Sequence, residues 1–537
     1  MASRQHSSPR QPFSDLTNDA FVTPNSPSRA KRRADDCDGV NKRIKCSDAE
    51  TETKFEGGSS EVDIDMLDVD VVRPLPRRQR PGVYGALQAL RMGNPGARRF
   101  LSFPTLKTLE SFVSSNKADI FKCQSIDANS FLTPPYACAF SNASKRGQSL
   151  TLAVATEQGT VDILNTKKRQ DWDPEPSRTT LQIHNNGIFD VKWSPSDARI
   201  ATASGDRTVA ITDPNSSGGT ALYSLNGGHF HTVKCVAWDP ASNNLLVSGG
   251  RDGCIFLWDL RTSGAGNSEQ GESDGRWKPV LSFPYAHEVV PGKAAKRGRT
   301  SLAPKSVTSI AYLPDSSHEI VSSGSSDGIL RKWDLRNPTS SPRKRSKKPS
   351  PVLPIDSAAE DLTAVTYGEQ PDGLTSTPTR RARGIASLAF GSGPSAGRVF
   401  ALSNDSRIHT YNASGAAGVP LGVPQADQAY THRHMATNSF YVRTAVSPCG
   451  RWLASGGANG SAFLFDVGAD RSDKLCMEGV ELRGQDGEVG GVDWADGALA
   501  TCADDGTVRI WRPDTERYRL CTDNPEEARW DWCWGRV

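Results

Sequence analysis

A short polar turn recurs seven times along this 537-residue chain, each time between a segment of small residues and an alternating apolar segment. The run "LLVSGGRDGCIFLWDLR" is one example. Four of the six gaps between successive turns are 46 to 54 residues long, close to the roughly 40–45 residues of a four-stranded propeller blade. The turns are Gln158-Gly159, Asp206-Arg207, Asp252-Gly253, Asp327-Gly328, Asp405-Ser406, Asn459-Gly460 and Asp505-Gly506.

The segments beside these turns have the pattern of strands. "IFDVKWSP", "VKCVAWDP" and "VGGVDWAD" alternate apolar with polar residues, as a strand with one packed face requires. Seven such units predict an all-β fold, a seven-bladed WD40 β-propeller over residues 135–515. The two longest gaps contain polar stretches, at about 262–304 and 338–383, which we interpret as long disordered blade insertions.

The third unit contains a complete set of hydrogen-bonding residues. His229, Ser248, Asp252 and Trp258 have the types and the order of the structural tetrad of WD repeats. Such a network would satisfy polar groups inside the blade and fix its geometry. The other units lack one or more of these residue types, so we expect their networks to be partial.

The N-terminal region has a different composition. Residues 1–80 are rich in Ser, Pro, Asp and Arg and poor in aromatic residues. Because they cannot bury enough apolar surface to offset the loss of conformational entropy, we predict a disordered tail. Residues 81–134 are predicted to form a strap that closes the propeller, with an outer strand supplied by the stretch 97–125.

The C-terminal residues 516–537 form a short Trp-rich tail. Trp530, Trp532 and Trp534 alternate with other residues, which predicts three indoles on one strand face. Packing against the propeller is the favoured interpretation, and anchoring of a partner is the alternative.

Neither catalysis nor a bound cofactor is predicted. The segment from Gly324 to Gly328 spells a G-x-S-x-G nucleophile elbow centred on Ser326, but an elbow requires a strand-to-helix turn and this segment precedes a strand. His432 and His434 have the spacing of a metal-binding pair. The sequence offers them no third ligand, so no metal site is predicted.

Cysteine usage and hydropathy bear on the compartment. The eleven cysteines are scattered and include no Cys-x-x-Cys pair, which fits a reducing environment. The N-terminus lacks the apolar segment of a secretory signal. No run approaches the roughly 18 apolar residues that are needed to cross a bilayer, so we expect no membrane association.

Basic residues occur in groups, although the net charge is only +3. One group in the N-terminal tail has the spacing of a bipartite import signal, which predicts a nuclear protein. Two groups in the blade insertions, "KAAKRGR" and "PRKRSKK", could make weak contacts with DNA phosphates. The import residues are Lys31, Arg32, Arg33, Lys42, Arg43 and Lys45.

Four Ser/Thr-Pro dipeptides have a basic residue next to the proline or two residues after it. This pattern suits proline-directed cell-cycle kinases, and phosphate there would offset the neighbouring positive charge. The candidates are Ser8, Ser26, Ser341 and Thr377.

Two neighbouring units end in Trp-Asp-Leu-Arg. Trp258 and Trp333 are predicted to pack between blades, and Asp259 and Asp334 to close a turn, so that the arginines, Arg261 and Arg336, emerge on one rim. Each arginine could be solvated or paired within its own blade. Alternatively, the two could bind a partner, because a guanidinium can satisfy several acceptors at once.

Longer segments resemble the denticleless family. They are "PPYACAFSN", "LAVATEQGTVDILNT", "GIFDVKWSP", "LVSGGRDGCIFLWDLR", "SFYVRTAVSP" and "ATCADDGTVRIWR", in this order over about 130–515. The run 246–261 resembles the box by which WD proteins dock onto the damaged-DNA-binding adaptor of cullin-4 ubiquitin ligases. The second copy departs from it by one extra residue before Asp327 and by Lys332 at an apolar position.

The resemblance implies a function. It implies the substrate-recognition subunit of a cullin-4 RING ubiquitin ligase, in which Arg261 and Arg336 contact the adaptor. It also implies recruitment of replication and cell-cycle proteins bound to the sliding clamp, such as a replication-licensing factor. The alternative is a chromatin-associated WD40 scaffold of the histone-binding type without ligase attachment.

Overall fold

Strands form most of the regular structure of the protein. The computed structural model describes residues 105–127, 131–216, 221–262, 277–287, 305–314, 316–325, 328, 330–336, 359–361, 384–413, 429–437, 439–468 and 478–536. The predicted tail 1–80, the six import residues and the phosphorylation candidates Ser8, Ser26, Ser341 and Thr377 lie outside these residues, so they remain predictions.

The first part of the chain contains two short helices and the strands of four blades. In chain order the elements are α1 (Leu106–Glu110), β1 (Phe112–Ser115), β2 (Ile120–Lys122), β3 (Pro135–Phe140), α2 (Asn142–Lys145), β4 (Thr151–Thr156), β5 (Thr160–Asn165), β6 (Thr179–Gln182), β7 (Ile188–Trp193), β8 (Ile200–Ser204), β9 (Val209–Thr212), β10 (Tyr223–Leu225), β11 (Val233–Trp238), β12 (Leu245–Gly250), β13 (Ile255–Asp259), β14 (Leu281–Phe283), β15 (Val307–Tyr312), β16 (Glu319–Gly324), β17 (Leu330–Asp334) and β18 (Ala359–Asp361).

The remaining elements complete three more blades and the C-terminus. They are β19 (Ile385–Phe390), a 3-10 helix (Gly393–Ser395), β20 (Arg398–Ser403), β21 (Arg407–Asn412), β22 (Thr444–Val446), β23 (Trp452–Ser455), β24 (Ser461–Asp466), β25 (Val480–Arg483), β26 (Val489–Ala495), β27 (Ala498–Ala503), β28 (Thr507–Pro513), α3 (Thr515–Asp523), α4 (Pro525–Ala528) and β29 (Trp532–Arg536). Within the described residues, every helix is too short or too polar to cross a membrane.

The strands group into seven antiparallel blades, as the turn pattern predicts. Blades 1 to 4 are β3–β6, β7–β10, β11–β14 and β15–β18, blade 5 is β19–β21, blade 6 is β22–β25, and blade 7 is built on β26–β28. The first strand of each blade contacts the first strand of the next, and β26 returns to contact β3. The ring is therefore closed around a central axis, and the fold is a seven-bladed WD40 β-propeller.

All seven predicted turns share one backbone feature. The second residue of each turn has a positive φ, between 62° and 83°. Glycine adopts this conformation without steric penalty, which explains its presence at five of the turns. The other two turns place Arg207 and Ser406 there.

Tryptophans at the ends of innermost strands join neighbouring blades. The indole N–H of Trp193 donates to the carbonyl of Ala139 at 2.9 Å, and that of Trp238 donates to the carbonyl of Lys192 at 3.1 Å. Each bond runs from one blade to the preceding blade. The apolar-polar alternation of these strands therefore places one residue where it can satisfy a polar group between blades.

The ring is closed by strands from outside the seven units. β1 and β2 both pair antiparallel with β28, where they occupy the outer position of blade 7. Phe112 of β1 is buried edge-on against Trp452 and Trp494, with ring centroids 5.8 and 5.6 Å apart. The N-terminal region therefore supplies the fourth strand of the last blade.

A second closing strand comes from the C-terminus. β29 pairs with β1 on one side and with β25 on the other, so it joins the outer edges of blades 6 and 7. Trp534 is buried there and Trp532 packs under the Arg517 guanidinium at 4.5 Å. Trp530 differs from the sequence interpretation, because it precedes the strand and is 71% exposed.

Each predicted insertion contains one short strand that belongs to a blade. β14 lies inside the stretch 262–304 and pairs with β13 as the fourth strand of blade 3. β18 lies inside the stretch 338–383 and pairs with β17 in the same way. The sequence interpretation missed these strands because each has only three residues, too few for a clear alternation pattern.

Candidate functional site

The four predicted tetrad residues of blade 3 are hydrogen-bonded in series. His229 Nδ1 lies 2.9 Å from Asp252 Oδ2, and His229 Nε2 lies 2.8 Å from Ser248 Oγ. The indole N–H of Trp258 donates to the same Oγ at 2.8 Å. Burial raises the pKa of Asp252, but the hydrogen bond and the charge of His229 outweigh it, so the pKa is lowered. The network fixes Trp258 and with it the end of β13.

Blade 4 has a related network that the sequence interpretation missed. His287 Nε2 lies 2.9 Å from Ser322 Oγ, and the indole N–H of Trp333 donates to this Oγ at 2.8 Å. Asp327 lies outside the described residues. His287 follows β14, the fourth strand of blade 3, just as His229 follows β10, the fourth strand of blade 2. A histidine shortly after the fourth strand of the preceding blade was therefore the signal that could have revealed this network.

Arg261 is paired within its own blade. Its Nε lies 2.9 Å from Asp259 Oδ1, and its Nη2 lies 2.7 Å from Asp259 Oδ2. The Arg261 side chain is nevertheless 64% exposed. The hydrogen bonds from Arg261 lower the pKa of Asp259, because they favour the ionised carboxyl.

Arg336 has the same arrangement. Its Nε lies 3.1 Å from Asp334 Oδ1, its Nη2 lies 3.0 Å from Asp334 Oδ2, and its side chain is 61% exposed. The sequence left open whether each arginine is solvated or paired within its own blade. Both arginines are paired within their blades. In neither arginine does Nη1 donate to another group of the described chain. The outer edge of each guanidinium thus keeps donors for a further acceptor.

The two arginines lie on the same face of the ring. Asp259 pairs with Leu245 at the start of β12, and Asp334 pairs with Glu319 at the start of β16. Because neighbouring strands are antiparallel, this edge carries the loops between first and second strands. Leu260 and Leu335 are buried here and donate backbone N–H groups to those loops. We call the surface with Arg261 and Arg336 the arginine face.

Lys332, the departure in the second copy, is satisfied locally. Its ammonium lies 3.1 Å from a carboxylate oxygen of Glu319 in the adjacent strand. A charged residue therefore occupies an apolar position of the box without disturbing Asp334 or Arg336.

The opposite face has a cluster that sequence reasoning missed. The second residues of the innermost strands in blades 1 to 4 sit at a register shift, so these side chains leave the ladder. They are Tyr136, Phe189, Lys234 and Thr308. Phe440, Tyr441 and Arg443, which lead into β22, reach the same place from blade 6. We call this cluster the channel mouth.

Arg443 crosses the axis of the ring. Its guanidinium donates to the backbone carbonyls of Phe189 at 3.1 Å, Lys234 at 2.9 Å and Thr308 at 3.4 Å. These carbonyls belong to three successive blades on the far side of the axis. The words "SFYVRTAVSP" contain this arginine, but no local pattern predicts partners more than a hundred residues away.

Tyrosines and carboxylates form one side of the channel mouth. The rings of Tyr136 and Tyr441 lie 5.3 Å apart, and the Tyr441 hydroxyl lies 3.3 Å from Glu488 and 3.2 Å from Asp504. Burial raises the pKa of Asp504, a hydrogen bond from Tyr441 opposes the shift, and the charge of Glu488 adds to it. This side therefore concentrates negative charge beside aromatic rings.

His432 and His434 have a third neighbour after all. A carboxylate oxygen of Glu481 and one nitrogen of each histidine lie within 4.8 Å of one another. Arg483, however, pairs with Glu481 at 2.9 Å and contacts His434 Nδ1 at 3.1 Å. Burial raises the pKa of Glu481, but hydrogen bonds from Arg483, His434 and Ser461 lower it to about 2. Since a guanidinium already neutralises the carboxylate, we assign this cluster a structural role.

The segment around Ser326 lies between two described strands. β16 ends at Gly324 and β17 begins at Leu330, so the next described element is a strand, whereas a nucleophile elbow leads into a helix. Ser326 itself lies outside the described residues.

Comparison with known proteins agrees with the blade pattern. The family model described as "WD domain, G-beta repeat" matches residues 175–213, 219–259, 299–334, 430–466 and 478–512. These matches cover parts of blades 1 to 4, 6 and 7.

Curated relatives include denticleless proteins of animals and a cell division cycle protein of a yeast. Cell division cycle protein cdt2 of Schizosaccharomyces pombe is 31% identical over 394 residues, which cover 70% of this chain and 68% of that protein. Denticleless protein homolog A of Xenopus laevis is 30% identical over 74% of this chain and 50% of its own length, and the human denticleless protein homolog is 28% identical over 71% and 46%. The chain thus spans about half the length of these two animal relatives.

The family resemblance of the sequence is therefore matched by identity over most of the propeller. The blade 3 tetrad lies within the match at 219–259, whereas the closing strands β1 and β29 lie outside the matched residues. The chain belongs to the denticleless family of WD-repeat proteins.

Proposed function

We propose that this protein is the substrate-recognition subunit of a cullin-4 RING ubiquitin ligase, docked through the arginine face onto the damaged-DNA-binding adaptor. The observation that carries the proposal is the pair Arg261 and Arg336. Both emerge from the same position of adjacent blades, on the same face, and both are exposed and held by an aspartate two residues earlier.

The internal ion pairs support docking by restraining the arginines. An exposed arginine loses side-chain freedom when it binds, which weakens association. Here the carboxylate of Asp259 or Asp334 already fixes the guanidinium plane, so less freedom is lost. The side chains are exposed, and their unused N–H groups suit carbonyl or carboxylate acceptors on a partner.

The protein contributes no catalytic residue and no cofactor to ubiquitin transfer. It acts by proximity: the arginine face binds the adaptor, the opposite face holds the substrate, and a substrate lysine is brought near the ubiquitin-charged enzyme. The substrates are replication and cell-cycle proteins on the sliding clamp, such as a replication-licensing factor. The site of action is the nucleus, reached through the basic residues of the N-terminal tail.

Two further features belong to the same proposal. The basic groups at 293–299 and 342–348 add weak contacts to DNA phosphates near the clamp. Phosphorylation of Ser341 or Thr377 reduces that positive charge. The name of the yeast relative, a cell division cycle protein, supports the cell-cycle part of the proposal.

The test is a charge reversal of both arginines. Tagged Arg261→Glu/Arg336→Glu protein, purified from replicating cells, should capture no adaptor while its thermal unfolding midpoint stays unchanged. Arg519→Glu is the matched control, because Arg519 is an exposed arginine near Asp523 on helix α3. Undiminished adaptor capture by the double variant contradicts the proposal. Histones without adaptor in the wild-type purification favour the chromatin scaffold instead.

A further inference from the structure

Lys234 is a buried cation that has no counter-ion among the residues that the structure describes. It is the second residue of β11, only 7% exposed, and its ammonium makes no hydrogen bond or ion pair with the described part of the chain. The ammonium instead lies 3.8 Å from the centroid of the Phe440 ring. A lysine that is buried in this way is normally paired, so its position calls for an explanation.

The charged groups around Lys234 are also positive. Arg443 donates to the Lys234 carbonyl at 2.9 Å, and its own Nε is buried without an acceptor. Arg251, which is exposed, adds a second guanidinium. Burial, together with the charges of Arg251 and Arg443, lowers the pKa of Lys234 to about 8, and Cys235 opposes this shift. Unpaired positive charge therefore collects on this side of the channel mouth.

The wall behind the ammonium is aromatic. Phe189 stacks on Tyr136 with ring centroids 5.5 Å apart, and Phe440 lies 5.4 Å from Phe189. Tyr441 is wedged against the backbone of β26, where a Cβ on Gly490 would approach its Cδ2 to 2.8 Å. These rings offer rigid apolar surface next to the buried cation, as in pockets that anchor one side chain of a partner.

We propose that the channel mouth binds a single carboxylate side chain, aspartate or glutamate, of a partner polypeptide, with Lys234 as its counter-ion and Phe440 as its wall. The proposal deepens the function proposed above, because the partner would be the substrate. It depends on that function only for the partner's identity.

The other side of the channel mouth favours this ligand over a nucleic acid. Glu488 and Asp504 accept hydrogen bonds from the Tyr441 hydroxyl. Glu157 of blade 1 is close enough to Tyr136 for its charge to raise the pKa of that tyrosine. A run of phosphates would meet these carboxylates as well as Lys234 and would be repelled. A short peptide with one acidic residue meets the ammonium alone and can place neutral or basic residues against the carboxylates.

The experiment is a double-mutant cycle on the full chain. The probes are fluorescent decapeptides with a central Asp or Glu in varied flanks, each matched by its Asn or Gln counterpart. Wild-type protein should bind a subset of the acidic peptides, and about tenfold or more of that affinity should be lost on Asp→Asn in the peptide and on Lys234→Met in the protein. Both changes remove the same contact. The loss of affinity when they are combined should therefore be well below the product of the two single losses.

Two controls keep the result interpretable. Lys192→Met removes an exposed lysine from the corresponding strand of blade 2, and the binding affinity should not change. The unfolding midpoint of Lys234→Met should not fall, since the change removes a buried charge. The proposal is overturned if no acidic peptide outbinds its amide counterpart, if the losses multiply, or if inorganic phosphate or single-stranded DNA binds with the same dependence on Lys234. Adaptor capture reports on Arg261 and Arg336 and is scored separately, so the two proposals can fail independently.

Discussion

The two faces of the propeller treat positive charge in opposite ways. On the arginine face, Arg261 and Arg336 are exposed, and each has a carboxylate two residues away along the chain. At the channel mouth, Lys234 is buried, and no carboxylate of the described residues pairs with it. An exposed ion pair changes the free energy of unfolding very little. A buried cation without a partner costs free energy, which the rest of the fold must offset. The contrast separates a restrained, accessible contact from a site that still lacks its counter-charge.

The largest expected effect concerns the buried cation and pH. Because the pKa of Lys234 is lowered from 10.5 to about 8, the unfolded state binds more protons than the folded state between these pH values. Stability of the wild type relative to Lys234→Met should therefore rise with pH in this window, by about 1.4 kcal/mol per unit and about 3 kcal/mol in total. Urea unfolding of both proteins from pH 7 to pH 10.5 measures it. A pH-independent difference would show that Lys234 is not charged and buried in the folded state.

The next effect concerns the network that supports the arginine face. Ser248→Ala leaves the buried His229 Nε2 and the Trp258 indole N–H without their shared partner. We expect a loss of about 1–3 kcal/mol in the free energy of unfolding. Ser322→Ala in blade 4 should have a similar effect, and Ser224→Ala, at an exposed position of β10, should have almost none. Equal stability of all three variants would mean that the network contributes nothing to blade geometry.

The smallest effect on stability belongs to the exposed pairs. Asp259→Asn removes the charge that orients Arg261, yet the unfolding midpoint should barely move, because an exposed pair contributes little. Adaptor affinity should fall less than in Arg261→Glu, since the arginine is still present but no longer fixed. Surface plasmon resonance with purified adaptor ranks the two variants. If Asp259→Asn binds as well as the wild type, the ion pair has no part in presenting the arginine.

Sequence patterns predicted those features whose interacting residues lie close together along the chain. The Asp252-Gly253 turn, the residues of the blade 3 tetrad and the Asp259–Arg261 pair all lie within one blade of a repeating unit. The repeat is visible in the sequence because each blade has a tight turn between its second and third strands. The second residue of that turn has a positive φ, which favours a small set of residue types.

The features that escaped prediction are assembled from distant segments or from very short strands. Arg443 in blade 6 meets carbonyls of blades 2, 3 and 4, and β29 joins blades whose strands lie far from it in sequence. Glu481 approaches His434 across more than forty residues. No local period predicts such contacts, because they join segments that are far apart in sequence.

The most direct test of the account is the affinity of purified adaptor for the intact protein and for Arg261→Glu/Arg336→Glu. The account predicts binding that weakens by about a hundredfold or more in the double variant, with each single variant in between and an unchanged unfolding midpoint. Equal affinity of the wild type and the double variant would contradict it.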